Sequence, residues 1–114
     1  MPRELVDAEN VRRSAWPNVS RERLLELVRA WAKAHGHEAL VVYDGAAPED
    51  AGDVVGTAGE TADDWLIRET ARLREAGEPF WLVTSDRGLR EVAGRGAERV
   101  IGGGAYLREL TARD

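Results

Sequence analysis

The chain has no cysteine, which excludes disulfide staples and thiolate-held metals and leaves the redox compartment unspecified. Lys33 is its only lysine, so arginine carries nearly all the positive charge. The two histidines, His35 and His37, flank Gly36 with no accompanying carboxylate pattern. They suit a helix end and solvent better than metal ligation. No run approaches the roughly 20 apolar residues that cross a bilayer. The N-terminus lacks the hydrophobic region of a signal peptide, so no membrane partner and a cytoplasmic location are expected. No linker, internal repeat or low-complexity tail divides the 114 residues, and one domain over 1–114 is expected. The net charge of −5 argues against broad, unspecific nucleic-acid binding.

What the sequence does have is a repeated ending. Leu5-Val6 runs into Asp7, Leu40-Val41-Val42-Tyr43 into Asp44, and Phe80-Trp81-Leu82-Val83-Thr84-Ser85 into Asp86. Short β-rich runs alternating with longer helical patterns imply a parallel sheet with helices on both faces. Ligands of such sheets bind in the crevice outside the carboxyl ends of the strands. Three aspartates at three strand ends therefore converge on one crevice.

Residues 3–7 read as the first strand, and 11–19, with the Trp16-Pro17-Asn18 turn, as an exposed loop. Ser20 caps a helix whose buried stripe is Leu24, Leu27, Val28 and Trp31, ending at Gly36. Residues 39–43 form a strand covered on both faces. The stretch 45–59 is rich in Gly, Ala and acids, and only Val54-Val55 suggests a short third strand. Thr61 with Asp64 resembles a capping box for a helix that buries Leu66, Thr70 and Leu73 and stops at Gly77. A strand over 80–84, a helix from Arg87 to about Ala93, a weak strand over 98–101 and a helix over 105–112 complete the chain.

Each acid has an ordinary explanation. Asp63 and Asp64 lie in a first helical turn, where carboxylates are favourable by roughly 0.3–1 kcal/mol. Asp86 suits a helix cap, and Asp44-Gly45 a turn. Their convergence changes the balance, because clustered like charges repel and raise one another's pKa. A divalent cation relieves that cost, and carboxylates with few histidines nearby suit Mg²⁺ or Mn²⁺.

Four segments in order carry a family resemblance: Leu5-Val6-Asp7-Ala8-Glu9-Asn10, Val42-Tyr43-Asp44-Gly45, Thr61-Ala62-Asp63-Asp64-Trp65-Leu66-Ile67 and Val83-Thr84-Ser85-Asp86-Arg87-Gly88-Leu89. Together they resemble the NYN domains of the PIN-like nucleases, the YacP-like branch above all, from Leu5 to about Leu110. The resemblance implies an α/β, PIN-like (Rossmann-like) three-layer fold with a central parallel sheet of four or five strands. It also implies metal-dependent endoribonuclease activity on RNA, leaving 5′-phosphate and 3′-hydroxyl ends. Carried over by position, Asp7, Asp63 and Asp86 are the metal-binding, catalytic carboxylates. Asn10 orders the first of them, and Asp44 sits at the rim or behind the metal ligands. Asp64 remains the alternative to Asp63, because adjacent helical residues point about a hundred degrees apart. The glycine-rich third-strand region and compact C-terminus depart from the family pattern, and leave substrate contacts and a fourth acidic ligand open.

Hydrolysing a phosphodiester requires an activated water and neutralised phosphate charge, which one or two metal ions supply. Arg12, Arg13 and Arg87 follow closely on two of the aspartates and are placed to hold flanking phosphates. Ser85 is a further substrate contact, and Trp16 is the aromatic placed to stack on a nucleotide. Trp31, Trp65 and Trp81 read as core. Gly102-Gly103-Gly104 lacks the Lys-Ser/Thr of a phosphate loop and reads as a tight left-handed turn. A homodimer or helper protein is expected to extend an RNA surface that −5 leaves weak. Two rivals stand beside the nuclease. One is a non-catalytic RNA- or nucleotide-binding module with the same fold. The other is a phosphoacceptor receiver-like domain, which would want a lysine after the last strands, and Lys33 lies in the first helix.

Overall fold

The computed structural model describes residues 2–112. The elements run β1 (Arg3–Asp7), α1 (Ala8–Arg12), α2 (Arg21–His35), β2 (Glu38–Asp44), β3 (Val54–Thr57), α3 (Ala62–Ala76), β4 (Phe80–Val83), α4 (Arg87–Ala93), β5 (Arg99–Ile101) and α5 (Gly103–Thr111). Five strands form one sheet in the order β3-β2-β1-β4-β5, and every neighbouring pair is parallel.

Alternation along the strands sorts the core into two halves. Leu5, Val42 and Leu82 pack with Ala62, Leu66 and Leu73 of α3 and Leu89 and Ala93 of α4. Val6, Val41, Tyr43 and Val83 point the other way, against α1, α2 and α5, meeting Val11, Leu24, Val28 and Tyr106. Burying each such side chain contributes roughly 1.5–3 kcal/mol, so the layers hold the strands in register from both sides.

The helix ends follow their local signals. The Ser20 hydroxyl accepts from the Arg23 amide at 3.0 Å, and the Thr61 hydroxyl from the Asp64 amide at 3.1 Å. Gly36 and Gly77 close α2 and α3 in the left-handed region, at φ 68° and 70°.

Two expectations are corrected. Residues 11–19 are not loop throughout: Val11 and Arg12 belong to α1, and Val11 is fully buried. A single helical turn shows no amphipathic repeat, so the Trp16-Pro17-Asn18 turn signal dominated. Gly102-Gly103-Gly104 is not a left-handed turn, since none of its members has positive φ. Gly102 precedes α5 in extended backbone, and Gly103 begins the helix.

After β1 the chain builds outward through β2 to β3, and α3 then returns it to β4 on the other side of β1. The reversal lies between β1 and β4. Such a switch point opens a crevice at the carboxyl edge of the sheet.

Candidate functional site

Asp7 ends β1 at the N-cap position of α1, yet its side chain makes no capping hydrogen bond. Its Oδ2 instead accepts from the Thr84 hydroxyl at 2.9 Å. The residue is only 5% exposed. Burial pushes its carboxyl up to about 6, and the charges of Asp63 and Asp86 push the same way. The Thr84 hydroxyl and the Asn10 backbone amide oppose the rise.

Asp63 stands in the first turn of α3, half-buried. Its carboxyl is also raised, by burial first and then by Asp86, Asp44 and Asp64. Asp86 caps α4, its Oδ1 accepting from the Leu89 amide at 2.9 Å. The capping explanation of Asp86 is thus correct as far as it goes. The same residue nevertheless lines one open cleft of about 390 Å³ with Asp7 and Asp63.

The cleft is also lined by Glu9, Asn10, Arg13, Ser14 and Ser85. The Asn10 side-chain carbonyl, expected to order Asp7, instead accepts from the Ser85 amide at 2.8 Å. The Ser85 hydroxyl in turn accepts from the Gly103 amide at 2.7 Å. The ends of β4, α1 and α5 are therefore pinned together at the cleft. Gly103 is needed there, because a Cβ on it would stand 2.4 Å from Asn10 Oδ1.

Several residues singled out in the sequence lie elsewhere. Asp64 is exposed and outside the cleft lining. Asp44 is outside it too, but its Oδ1 accepts from the Ala62 amide at 3.3 Å and so fixes the start of α3 beside Asp63. Arg12 is spent on structure, donating to Val19 O at 3.0 Å and Glu9 at 2.7 Å. Arg13 lines the cleft, whereas Arg87 is exposed at the start of α4 and does not. Trp16 is 89% exposed in the loop after α1. His37 contacts Glu4, and His35 contacts the Trp31 carbonyl.

Sequence reasoning missed Thr84, Gly103 and Glu9. Thr84 is buried and meets Asp7 from 77 positions away, a contact that no local pattern in the sequence announces. Glu9 differs from the aspartates in being neutralised, with Arg12 at 2.7 Å, Arg13 at 3.4 Å and Arg21 at 3.7 Å. A larger hollow of about 450 Å³ between α2 and α5 is lined mainly by apolar residues such as Leu27, Trp31 and Leu110. It contains none of the strand-end aspartates.

Among the described residues, no group of three or more histidine or carboxylate side chains is arranged so that it could hold a metal ion. A hard cation does not require such a group. Mg²⁺ is commonly held through one or two carboxylates and keeps several waters.

A family model described as the YacP-like NYN domain matches residues 5–103. No curated protein sequence matches the chain. Among solved structures, the chain resembles a crystal structure of Rae1 (YacP) from Bacillus subtilis carrying a tryptophan-to-leucine substitution. The TM-score is 0.74 at 24% identity, over 98% of this chain and 76% of that one. A second Rae1 (YacP) crystal structure from the same organism gives 0.71 at 22% identity, over 98% and 75%. These likenesses bear on the fold.

Proposed function

The chain belongs to the YacP-like NYN domain family, a nuclease-type, RNA-related group, and from that premise we propose that it is a Mg²⁺- or Mn²⁺-dependent endoribonuclease. The observation that carries the reading is the shared cleft of Asp7, Asp63 and Asp86 at the carboxyl edge of the sheet. Asp7 with Asp63 or Asp86 would hold the cation, the third carboxylate reaching it through water, and the ion when bound would supply Lewis-acid activation of water and neutralise phosphate charge. The products would carry 5′-phosphate and 3′-hydroxyl ends, the water oxygen joining phosphorus as the bond to the 3′ oxygen breaks.

The chain's own residues position this chemistry. Asp44 fixes the α3 amide next to Asp63. Thr84 bridges Asp7 and the Asp86 backbone. Asn10 and Ser85 hold the cleft wall. Arg13, which lines the cleft while paired with Glu9, would take a flanking phosphate by exchanging that partner, with Arg87 and Trp16 as outer contacts. With a net charge of −5, a second copy of the chain or a helper protein would extend the RNA surface. One domain suffices for the acid set, and no described helix is long and apolar enough to cross a membrane.

The experiment is cleavage of single-stranded RNA by purified protein, with chelator and with added Mg²⁺ or Mn²⁺. Cutting that stops in chelator and returns with metal is expected. Equal cutting in excess EDTA overturns metal dependence. Binding of RNA without cutting, with metal bound, leaves the non-catalytic module as the better reading.

A further inference from the structure

An RNA strand entering an acidic cleft must be gripped by cations beside it, and most arginines here are already committed. Arg12, Arg13 and Arg21 surround Glu9. Arg29, Arg68 and Arg72 hold carboxylates of their own, and Arg74 and Arg95 donate to backbone carbonyls. Arg87 and Arg90 on α4 and Arg108 on α5 are exposed and have no carboxylate partner among the described residues, and of these Arg108 is the one on the Arg13 and Ser14 side of the sheet.

Its position is defined by Gly104, one helical turn earlier. The Arg108 Nη1 lies 3.6 Å from the point where a Gly104 Cβ would stand, and the Ser14 Cβ lies 3.9 Å from that same point. Long helical side chains lean toward the helix N-terminus. The guanidinium therefore reaches back over the first turn of α5 toward Ser14, which lines the cleft wall with Arg13. The same loop carries Trp16, with 89% of its surface exposed. Arg108 is rooted in the last turn of α5, and its guanidinium, turned toward the loop that holds Ser14 with no carboxylate beside it among the described residues, presents its donors to an external anion.

We infer that Arg108 is a substrate-binding residue. It takes a backbone phosphate of single-stranded RNA where the strand leaves the acidic cleft past Arg13 and Ser14 and crosses onto α5. Unpaired RNA is the class that fits. Trp16 offers a stacking face only to an unstacked base, and the planar guanidinium fork suits phosphate oxygens. The asymmetry of the cleft supports this direction. Asp63 and Asp86 belong to the α3 and α4 side, and Arg13 and Arg108 to the α1 and α5 side.

This inference rests on the RNA-nuclease reading, and its test separates the two. Binding of a short labelled single-stranded RNA is measured in EDTA across a salt series, and cleavage separately in Mn²⁺. The proteins are wild type, Arg108→Ala, Arg108→Lys and Arg72→Ala. Arg72 is a charge-matched control paired with Glu69 on α3. Arg108→Ala should bind about tenfold more weakly, with a salt slope smaller by roughly 0.7. Arg108→Lys should regain the slope and part of the affinity, and the control should bind as wild type does. Arg108→Ala binding as tightly as Arg72→Ala overturns the assignment and leaves the nuclease reading standing. Wild type that binds RNA, loses affinity in Arg108→Ala and never cuts in Mn²⁺ supports the assignment and removes the nuclease. Wild type that binds no single-stranded RNA overturns it.

Discussion

The hydroxyl of Thr84 donates to Oδ2 of Asp7 at 2.9 Å and its oxygen accepts from the Asp86 amide at 3.2 Å. One buried atom thus ties two of the cleft aspartates across the β1–β4 pair. Thr84→Val keeps the shape and removes the hydroxyl. It should destabilise the protein by about 1–3 kcal/mol, since the Asp7 carboxylate loses its donor. Because the Thr84 hydrogen bond lowers the Asp7 pKa, its loss should also move the acid limb of the cleavage profile to higher pH. Thr84→Ser should restore both. Denaturant unfolding and a pH–rate profile provide the check, and an unmoved acid limb would detach Thr84 from the chemistry.

A second expectation separates metal ligation from helix capping. The Asp63 carboxyl is raised by burial first and then by its acidic neighbours, both of which disfavour its charge, so Asp63→Asn should leave the metal-free protein equally or more stable. It should also abolish most of the melting-temperature rise produced by Mn²⁺, because a ligand stabilises in proportion to its binding to the folded state. Asp86 carries a cap as well. Asp86→Asn keeps an acceptor and should melt near wild type without metal, whereas Asp86→Ala should lose about 0.5–2 kcal/mol. Melts with and without Mn²⁺ measure this. No Mn²⁺ shift in wild type, with Asp63→Asn melting lower, would remove the metal site.

The legible part of this chain was local. Ser20, Gly36, Thr61 and Gly77 announced their helix ends because a cap is a contact over three or four residues. The convergence of Asp7 and Asp86 could be read because a parallel sheet places strand ends on one edge. Asp63 could not be chosen over Asp64 without the orientation of α3. The illegible part was distant or too brief: Thr84 meets Asp7 across 77 positions, and α1 is five residues long. Arg12 looked like a phosphate contact, since nothing in its neighbourhood showed that Val19 and Glu9 would claim it.

Gly103 and Gly104 make a paired test of the α5 junction. A Cβ at Gly103 would stand 2.4 Å from Asn10 Oδ1 and 3.4 Å from the Val11 Cα, so Asn10 or the backbone must move. Gly103→Ala should cost about 1–3 kcal/mol and reduce cleavage by displacing Asn10 and Ser85. At Gly104 the nearest atom is 3.6 Å away, and Gly104→Ala should be neutral or slightly stabilising. Unfolding curves and cleavage rates for both variants check it. Equal behaviour of the two would show that the Asn10 contact does not constrain the cleft.

The last expectation lies at the opposite edge of the sheet. Glu4 is fully buried at the amino end of β1, with Oε2 2.6 Å from Nδ1 of His37. The contact is close but not aligned as a hydrogen bond, and the indole nitrogens of Trp31 and Trp81 nearby also lack partners. Burial, and then the charge of Glu109, push the Glu4 carboxyl up to about 7 against the opposing Arg99. A folded-state pKa above the unfolded one means that the protonated form favours folding. That contribution is complete below about 4.5 and is lost as pH rises through about 7. Glu4→Gln fixes a neutral side chain of the same shape. The stability difference between wild type and Glu4→Gln should therefore shift by about 2 kcal/mol from pH 5 to pH 8, wild type losing ground as pH rises. Urea unfolding of both proteins across that range decides it. A difference that stays constant with pH would mean that Glu4 keeps its charge inside the fold, with His37 as a true ionic partner.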